Sequence, residues 1–283
     1  MKKQKVALVL EGGGLRGAYT AGALSWLIDN NIEFDSAYGI STGAIHLVNY
    51  LMKNKKYLFD IAIDYIKNKK AMFLPALIRC GRIVDYDYLF GELLLNGISY
   101  DYSSLKDVKT KGYIGVYDLN EAKTVFLPVQ EISLHELKAA CSLPIIGKVV
   151  ENNGRRMLDG GITEMIPINQ SINDGNTAHL IITTKPDGYR KKPAKGIVVK
   201  VMKLLYKDCP TIGDDYAVRH INYEKQVMHI EQVQKDNCGV YVCPSRKSKV
   251  TRLSGSREDL IDLFNLGYQD MENRKTEILA LFK

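Results

Sequence analysis

The sequence predicts a layered α/β domain with mainly parallel strands, followed by a mainly helical C-terminal region. Three observations carry this expectation. Short apolar runs alternate with helical patterns through the first hundred residues in the order β-α-β-α, the signature of a parallel layered sheet. The first two strand-to-helix junctions are both rich in glycine. Long helical patterns then dominate beyond about residue 190. A length of 283 residues and an apolar content of 46% are enough to bury a core.

In order along the chain, Lys5–Leu10 reads as a buried strand that ends at a glycine cluster. Tyr19–Asn30 places Ala23, Leu24, Leu27 and Ile28 on one helical face. Ser36–Ile40 reads as a second strand and Thr42–Met52 as a helix entered by a sharp turn. Tyr57–Ile66 and Asp85–Leu95 have helical patterns. Gly112–Asp118 and Lys123–Val129 pair across the turn Leu119–Ala122. Ser133 with Glu136 fits a capping box for a helix running to about Ser142. Lys148–Glu151 and Arg155–Leu158 form a hairpin around Asn152-Asn153-Gly154. Ala178–Thr184 is a further apolar strand. Beyond it, helical patterns span Asp214–Lys235 and Arg257–Phe282, the second opened by Ser256 and Asp259. The boundary falls near residue 189, giving an α/β domain over 1–189 and a mainly helical region over 190–283.

The charge balance is 39 − 32 = +7. That sum permits nucleic-acid binding, a membrane surface or neither, so its distribution matters more. Five cysteines (Cys80, Cys141, Cys209, Cys238 and Cys243) are scattered and odd in number, which argues against a zinc module or a disulfide scaffold. The opening apolar run, Val6–Leu10, is too short for a secretory signal. No later stretch reaches the roughly 20 apolar residues of a spanning helix. These features lead us to expect an intracellular, soluble protein.

Gly39-Ile40-Ser41-Thr42-Gly43 lies between a predicted strand and helix. A nucleophile elbow needs that context: the serine sits in a strained turn, and flanking glycines leave room for the neighbouring backbone. Gly12-Gly13-Gly14-Leu15-Arg16-Gly17 also joins strand to helix. Such a loop can offer backbone N–H groups to a phosphate or to a tetrahedral oxyanion, or it can simply turn tightly. Gly12, Gly14 and Gly17 satisfy the dinucleotide fingerprint in form. Glu33 and Asp35, however, precede the second strand, whereas a ribose-binding acid belongs at its far end. No nucleotide is therefore expected, and no nucleic acid, cofactor or metal.

A serine nucleophile needs a base. His179 begins a strand, His220 and His229 fall inside a helical pattern, and His46 and His135 lie in or at the start of helices. None follows a strand in a loop, where a triad histidine sits. Asp159-Gly160-Gly161 offers a carboxylate at a strand end, able to take the serine proton if burial raises its proton affinity.

Taken in order, G-G-G-x-R-G, G-x-S-x-G and D-G-G resemble the patatin-like phospholipase family over roughly residues 5–189. The resemblance implies a three-layer α/β fold and a Ser–Asp dyad. It implies Ser41 as nucleophile, Asp159 as base and the Gly12–Gly17 loop as oxyanion donor, with Gly13, Gly14 and Leu15 contributing N–H groups. Ala139–Pro144 and Thr184–Pro193 are also similar to family segments, which suggests a bacterial, cytoplasmic protein. Two positions depart: Thr42 replaces a small residue after the nucleophile, and Met165 replaces an Asn before Pro167.

The expected function is hydrolysis of lipid acyl esters. The alternatives are a Ser-His-Asp esterase and a weakly active lipid-binding or regulatory protein on the same fold. Residues 190–207 hold seven basic residues and no acidic one. Ile197, Val198, Val201, Leu204 and Leu205 form a helical apolar set there. That stretch suits either peripheral contact with the inner membrane surface or an ordinary helix packed on the core. The sequence does not fix an oligomeric state.

Overall fold

The central strands bury both faces, and side-chain alternation sorts them into two cores. In β1 (Val6–Leu10), Val6, Leu8 and Leu10 enter one core while Ala7 and Val9 enter the other. The computed structural model describes residues 4–65, 69–94 and 102–283. After β1 come α1 (Gly17–Asp29), β2 (Ser36–Ile40), α2 (Thr42–Leu51), α3 (Lys55–Asp60), α4 (Phe73–Cys80), β3 (Lys111–Asp118) and β4 (Lys123–Pro128). Then follow α5 (Leu134–Cys141), β5 (Val150–Asn152), β6 (Arg155–Asp159), α6 (Ile168–Asn173) and β7 (Ala178–Ile182). The chain ends with α7 (Gly196–Leu205), α8 (Thr211–Ala217), α9 (Arg219–Lys235), β8 (Gly239–Val242), α10 (Arg257–Asn273) and α11 (Lys275–Ala280).

The eight strands form one sheet in the order β5-β6-β3-β2-β1-β7-β8, with β4 also paired to β3. The contacts from β3 through β2, β1 and β7 to β8 are all parallel. Residues from α1, α2, α5 and α10 pack on one face, among them Trp26, Leu47, Leu137 and Leu263. Tyr223 and Ile230 of α9 cover the other face, as do Met202 of α7 and Ile212 of α8. The result is a three-layer α/β fold with a mainly parallel sheet and a helix-rich C-terminal part, as the sequence predicts.

One detail of β3 positions the site. Ile114 pairs with Gly39 of β2 on one edge and with Leu127 of β4 on the other. Further along, Val116 is still paired to β4 but now meets Asp159 of β6 on the edge that β2 has just left. β2 and β6 therefore lie end to end along a single edge of β3. Their ends converge at Ile40–Ser41 and Asp159.

Several elements differ from the sequence reading. The pattern over Asp214–Lys235 is two helices broken at Val218, and the pattern over Arg257–Phe282 is broken at Arg274. At the second break the Arg274 guanidinium donates to the Tyr241 carbonyl at 3.2 Å, tying the helix to the last strand. β8 is a strand that sequence patterning missed, because only four residues between two cysteines alternate. The predicted helix Tyr57–Ile66 tightens into α3 and then widens into a π-helical turn over Ile61–Tyr65, and a second π-helical stretch covers Tyr88–Leu94. Ile66 and Leu95, the ends of two predicted helices, lie outside the described residues. The 153–154 hairpin turn has φ of 49° at Asn153 and 77° at Gly154, as a two-residue turn requires. Among the described residues no helix is long and apolar enough to cross a membrane.

Candidate active site

Ser41 occupies the turn between β2 and α2 with φ 56° and ψ −127°, a conformation costly for any residue with a Cβ. The flanking glycines permit this turn. A Cβ on Gly39 would lie 2.6 Å from the Gly43 carbonyl oxygen, and one on Gly43 would lie 2.9 Å from the Glu11 carbonyl oxygen. Behind the turn, the buried Cys141 thiol at the end of α5 donates to the Ser41 carbonyl at 3.3 Å. Ser41 stands at the N-terminus of α2, where the helix dipole favours negative charge.

Asp159 ends β6 and is buried to 1% exposure. Its amide donates to the Ser142 carbonyl at 2.9 Å, so the small-residue end of α5 braces both Ser41 and Asp159. One carboxylate oxygen, Oδ1, accepts the Gly161 N–H at 2.7 Å. The other, Oδ2, is buried with no hydrogen-bond partner. Burial raises the pKa of Asp159 above the ordinary carboxylate range. The Ser41 hydroxyl, the Gly161 amide, Arg219 and Arg252 pull it down more weakly. Ser41 and Asp159 line the same small hollow, and the serine hydroxyl lowers the proton affinity of the carboxyl.

The Gly12–Gly17 loop closes the third side. A Cβ on Gly12 would lie 2.9 Å from the Ser41 Cβ, so the loop passes directly over the serine. Its amides are largely engaged already. Gly12 donates to the Met165 carbonyl at 3.2 Å, Gly13 to the Thr42 hydroxyl at 3.2 Å and Leu15 to the Arg252 carbonyl at 3.0 Å. Gly14, at φ 60°, keeps an N–H with no acceptor among the described residues. Arg16 follows it beside the buried Glu11, and Gly17 begins α1 against Thr42 and His46. Of the two sequence departures, Thr42 has a structural role, since its hydroxyl holds this loop; Met165 holds it only through a main-chain carbonyl that any residue would supply.

A narrow hollow of about 20 Å³ is lined by Gly12, Gly13, Gly14, Ser41, Asp159, Gly161, Arg219 and Arg252, among others. A second, of about 50 Å³, also reaches Ser41 and is walled by Leu15, Ile45, Met72, Leu89, Phe90 and Leu253. A larger hollow of about 420 Å³ lies at the opposite end of the sheet, beside Glu33, Lys53 and Lys109.

No histidine lines either hollow at Ser41. His179 is level with Ser36 through Ala7, about 16 Å down the sheet from Ser41 at the usual strand rise. It bonds the Ser171 hydroxyl at 3.0 Å, and burial pushes its pKa down to about 4. Burial pushes His46 down to about 3. His220 faces the Ala217 carbonyl at 3.1 Å, and His229 contacts the Asn169 side chain on the surface.

Sequence reasoning missed the residues that reach the site from the C-terminal region. The Arg219 guanidinium donates through Nε to the Gly161 carbonyl. Gln226 accepts the Met165 and Ile166 amides at 3.2 and 3.0 Å, holding the segment after D-G-G. Arg219, Tyr223, Gln226 and Ile230 are the buried residues of α9. The helix carries no amphipathic pattern that marks this face, so the sequence offered no local signal for it.

Residues 8–172 match the family model described as patatin-like phospholipase, and residues 209–283 match that of a domain of unknown function, DUF6363. Protein YjjU of Escherichia coli (strain K12) is 28% identical over a 189-residue alignment that covers 64% of this chain and 52% of YjjU. The chain therefore spans about half the length of that relative. VipD from Legionella pneumophila aligns with 97% of this chain and 67% of its own, at 13% identity and a TM-score of 0.47. With the first family model matched over more than half of its length, this chain belongs to the patatin-like phospholipase family.

Proposed function

We propose that the protein is a serine acyl hydrolase of lipid esters that works through a Ser41–Asp159 dyad. The observation that carries this is a buried Asp159, with one carboxylate oxygen unpartnered, lining the same small hollow as a serine held at positive φ. Ser41 Oγ attacks the ester carbonyl as its proton passes to Asp159. The oxyanion takes the Gly14 N–H, and the Gly13 N–H as it exchanges its weak bond to Thr42. Collapse returns the proton to the leaving alcohol, and Asp159 then activates water against the acyl-enzyme. The apolar hollow walled by Leu15, Ile45, Met72 and Phe90 receives the acyl chain.

Contact with a bilayer surface belongs to the same proposal. Phe73, Leu74, Leu77 and Ile78 of α4 are exposed, while the neighbouring Met72 lines the acyl hollow. On α7, Val198 and Met202 pack inward, whereas Ile197, Leu204 and Leu205 stay exposed beside Lys200 and Lys203. The loop after Leu143 joins the two: the Ile145 amide donates to the Tyr206 hydroxyl at 3.0 Å, and the Val84 amide donates to the Ile146 carbonyl at 2.9 Å. Two partly exposed apolar helices flanking one loop beside the site suit a peripheral interface.

A fluorophosphonate probe is expected to label Ser41 and no other serine, and Asp159→Asn is expected to lower turnover by about 10²–10⁴. Label on another serine, or turnover close to wild type in Asp159→Asn, overturns the dyad.

A further inference from the structure

Thr42, the first residue of α2, occupies a group that the oxyanion needs. Its hydroxyl oxygen accepts the Gly13 N–H at 3.2 Å. The hydroxyl's own proton has no acceptor among the described residues. One turn further along α2 comes His46, fully buried, with neither Nδ1 nor Nε2 hydrogen-bonded among the described residues. Burial pushes the His46 pKa down to about 3, so the ring is neutral at pH 7 and keeps one nitrogen able to accept.

Gly17 shows that these two side chains face one gap. A Cβ there would lie 2.8 Å from Thr42 Oγ1 and 3.1 Å from His46 Nε2, so the two atoms are no farther apart than the sum of those distances. Gly17 has φ −57° and ψ −14°, an ordinary helical backbone that any residue adopts. Its missing side chain therefore serves space, not turn geometry, and the space lies between hydroxyl and imidazole. A helical threonine has two accessible χ1 wells, so its hydroxyl can turn without moving the backbone.

We infer that Thr42 and His46 are positioning residues that release the Gly13 N–H to the oxyanion, the Thr42 hydroxyl turning from that amide to donate to His46 Nε2. This rests on the acyl hydrolase reading and extends it. An oxyanion outcompetes the hydroxyl for the amide, because hydrogen bonds to a charged oxygen are roughly twice as strong as neutral ones. The displaced hydroxyl would otherwise stay buried with no partner, which costs more than one ordinary hydrogen bond returns. His46, with its proton on Nδ1, supplies the acceptor. Before substrate arrives, the same hydroxyl keeps the Gly13 N–H satisfied and the loop in place. Thr42 departs from the small residue expected after the nucleophile, so the exchange is a feature of this chain and not of the glycine loop alone.

Turnover of a soluble short-chain ester, measured in a double-mutant cycle of Thr42→Val and His46→Phe, tests the exchange. We expect His46→Phe to lower kcat about tenfold at unchanged KM, short of the roughly 10²–10³ lost with a whole oxyanion donor. His46→Gln, whose amide oxygen replaces Nε2 as acceptor, should keep kcat within about twofold of wild type. Thr42→Val has no hydroxyl to displace, so adding His46→Phe to it should cost less than about twofold. Equal losses from His46→Phe in both backgrounds, or no loss in either, overturn the inference.

The wild-type chain gives a second reading that no unfolded variant can obscure. A fluorophosphonate on Ser41 leaves a tetrahedral adduct with an oxygen where the oxyanion forms. In nitrogen-15 NMR of histidine-labelled protein, with His46 assigned through His46→Gln, the Nε2 resonance should move upfield in the adduct as it gains a hydrogen bond. An unmoved resonance overturns the inference. Wild-type protein that takes no label at Ser41 and cleaves no ester refutes the hydrolase reading itself. Labelled, active protein with equal His46→Phe losses in both backgrounds overturns the exchange alone.

Discussion

The buried carboxyl of Asp159 links chemistry to stability at a single residue. Its pKa is raised mainly by burial, so the folded protein holds that proton more tightly than the unfolded chain does. Between the ordinary value of 3.8 and the raised one, the contribution of Asp159 to stability therefore falls as pH rises. Above the raised value the fold carries the cost of an ionised buried group with one unpartnered oxygen. Asp159→Asn should melt at a higher temperature than wild type at pH 7, and the difference should close as pH drops below about 4, where both side chains are neutral. Differential scanning calorimetry across that range checks the sign; a variant less stable than wild type at pH 7 refutes it. The acid limb of kcat/KM should also lie above the ordinary carboxylate range, because only the ionised form accepts the serine proton. Ser41, Asp159 and the glycines around them were legible in the sequence because each sits in a short pattern whose steric need is local. Arg219, Gln226 and Arg252 were not, since they reach the site from 58 or more positions beyond Gly161, along contacts that no local pattern encodes.

At the scale of elements, α1 and α10 cross with almost no space between their backbones. A Cβ on Gly22 would lie 1.9 Å from the Phe264 carbonyl oxygen, and one on Gly267 would lie 2.1 Å from that of Tyr19. Buried or partly buried hydrogen bonds fasten the same pair, from Tyr19 to Asp270 at 2.9 Å and from Trp26 to Glu272 at 2.6 Å. Gly267→Ala poses two opposed effects. Helix propensity favours alanine by about 1 kcal/mol, whereas forcing a methyl against a main-chain carbonyl costs about 1–3 kcal/mol. A carbonyl in mid-helix cannot rotate away, so the steric term should dominate. With the steric cost in the upper part of that range, urea unfolding should show a net loss of about 1–2 kcal/mol, and unchanged stability would mean that the helices can move apart freely. The paired glycines were visible in the sequence, but their partnership was not: each reads singly as a tolerated helical glycine. The capping boxes at Ser133 and Ser256 and the Asn153-Gly154 turn were legible for the opposite reason, as all their partners lie within four residues. β8 is short, and only the edge of β7 makes it a strand.

For the whole molecule, the question is how the sheet and the site depend on residues after 189. β8 continues the parallel sheet, with the Thr183 amide donating to the Val242 carbonyl at 3.0 Å and the His179 amide to the Cys238 carbonyl at 2.8 Å. Leu260, Leu263 and Met271 of α10 enter the same core as Leu24, Trp26 and Leu27 of α1. On the other face, Tyr223 and Ile230 cover Tyr38 and Ile181. A chain ending at residue 189 would expose those aromatic and branched side chains and leave the edge of β7 unpaired, the combination that promotes strand-to-strand association. It would also lack Arg219 and Gln226, which hold Gly161 and the 165–166 amides, and Arg252, which holds Leu15. The glycine loop and the D-G-G turn would each lose an anchor. We therefore expect the 1–189 fragment to aggregate or bind a hydrophobic dye on expression, and to leave Ser41 unlabelled by a fluorophosphonate that labels the full chain. Size-exclusion chromatography with probe labelling reads both properties at once. A monomeric, labelled and active fragment would make residues 190–283 an attachment to a finished enzyme. An aggregated, unlabelled fragment would mean that sheet, core and site are completed only when the last third of the chain is in place.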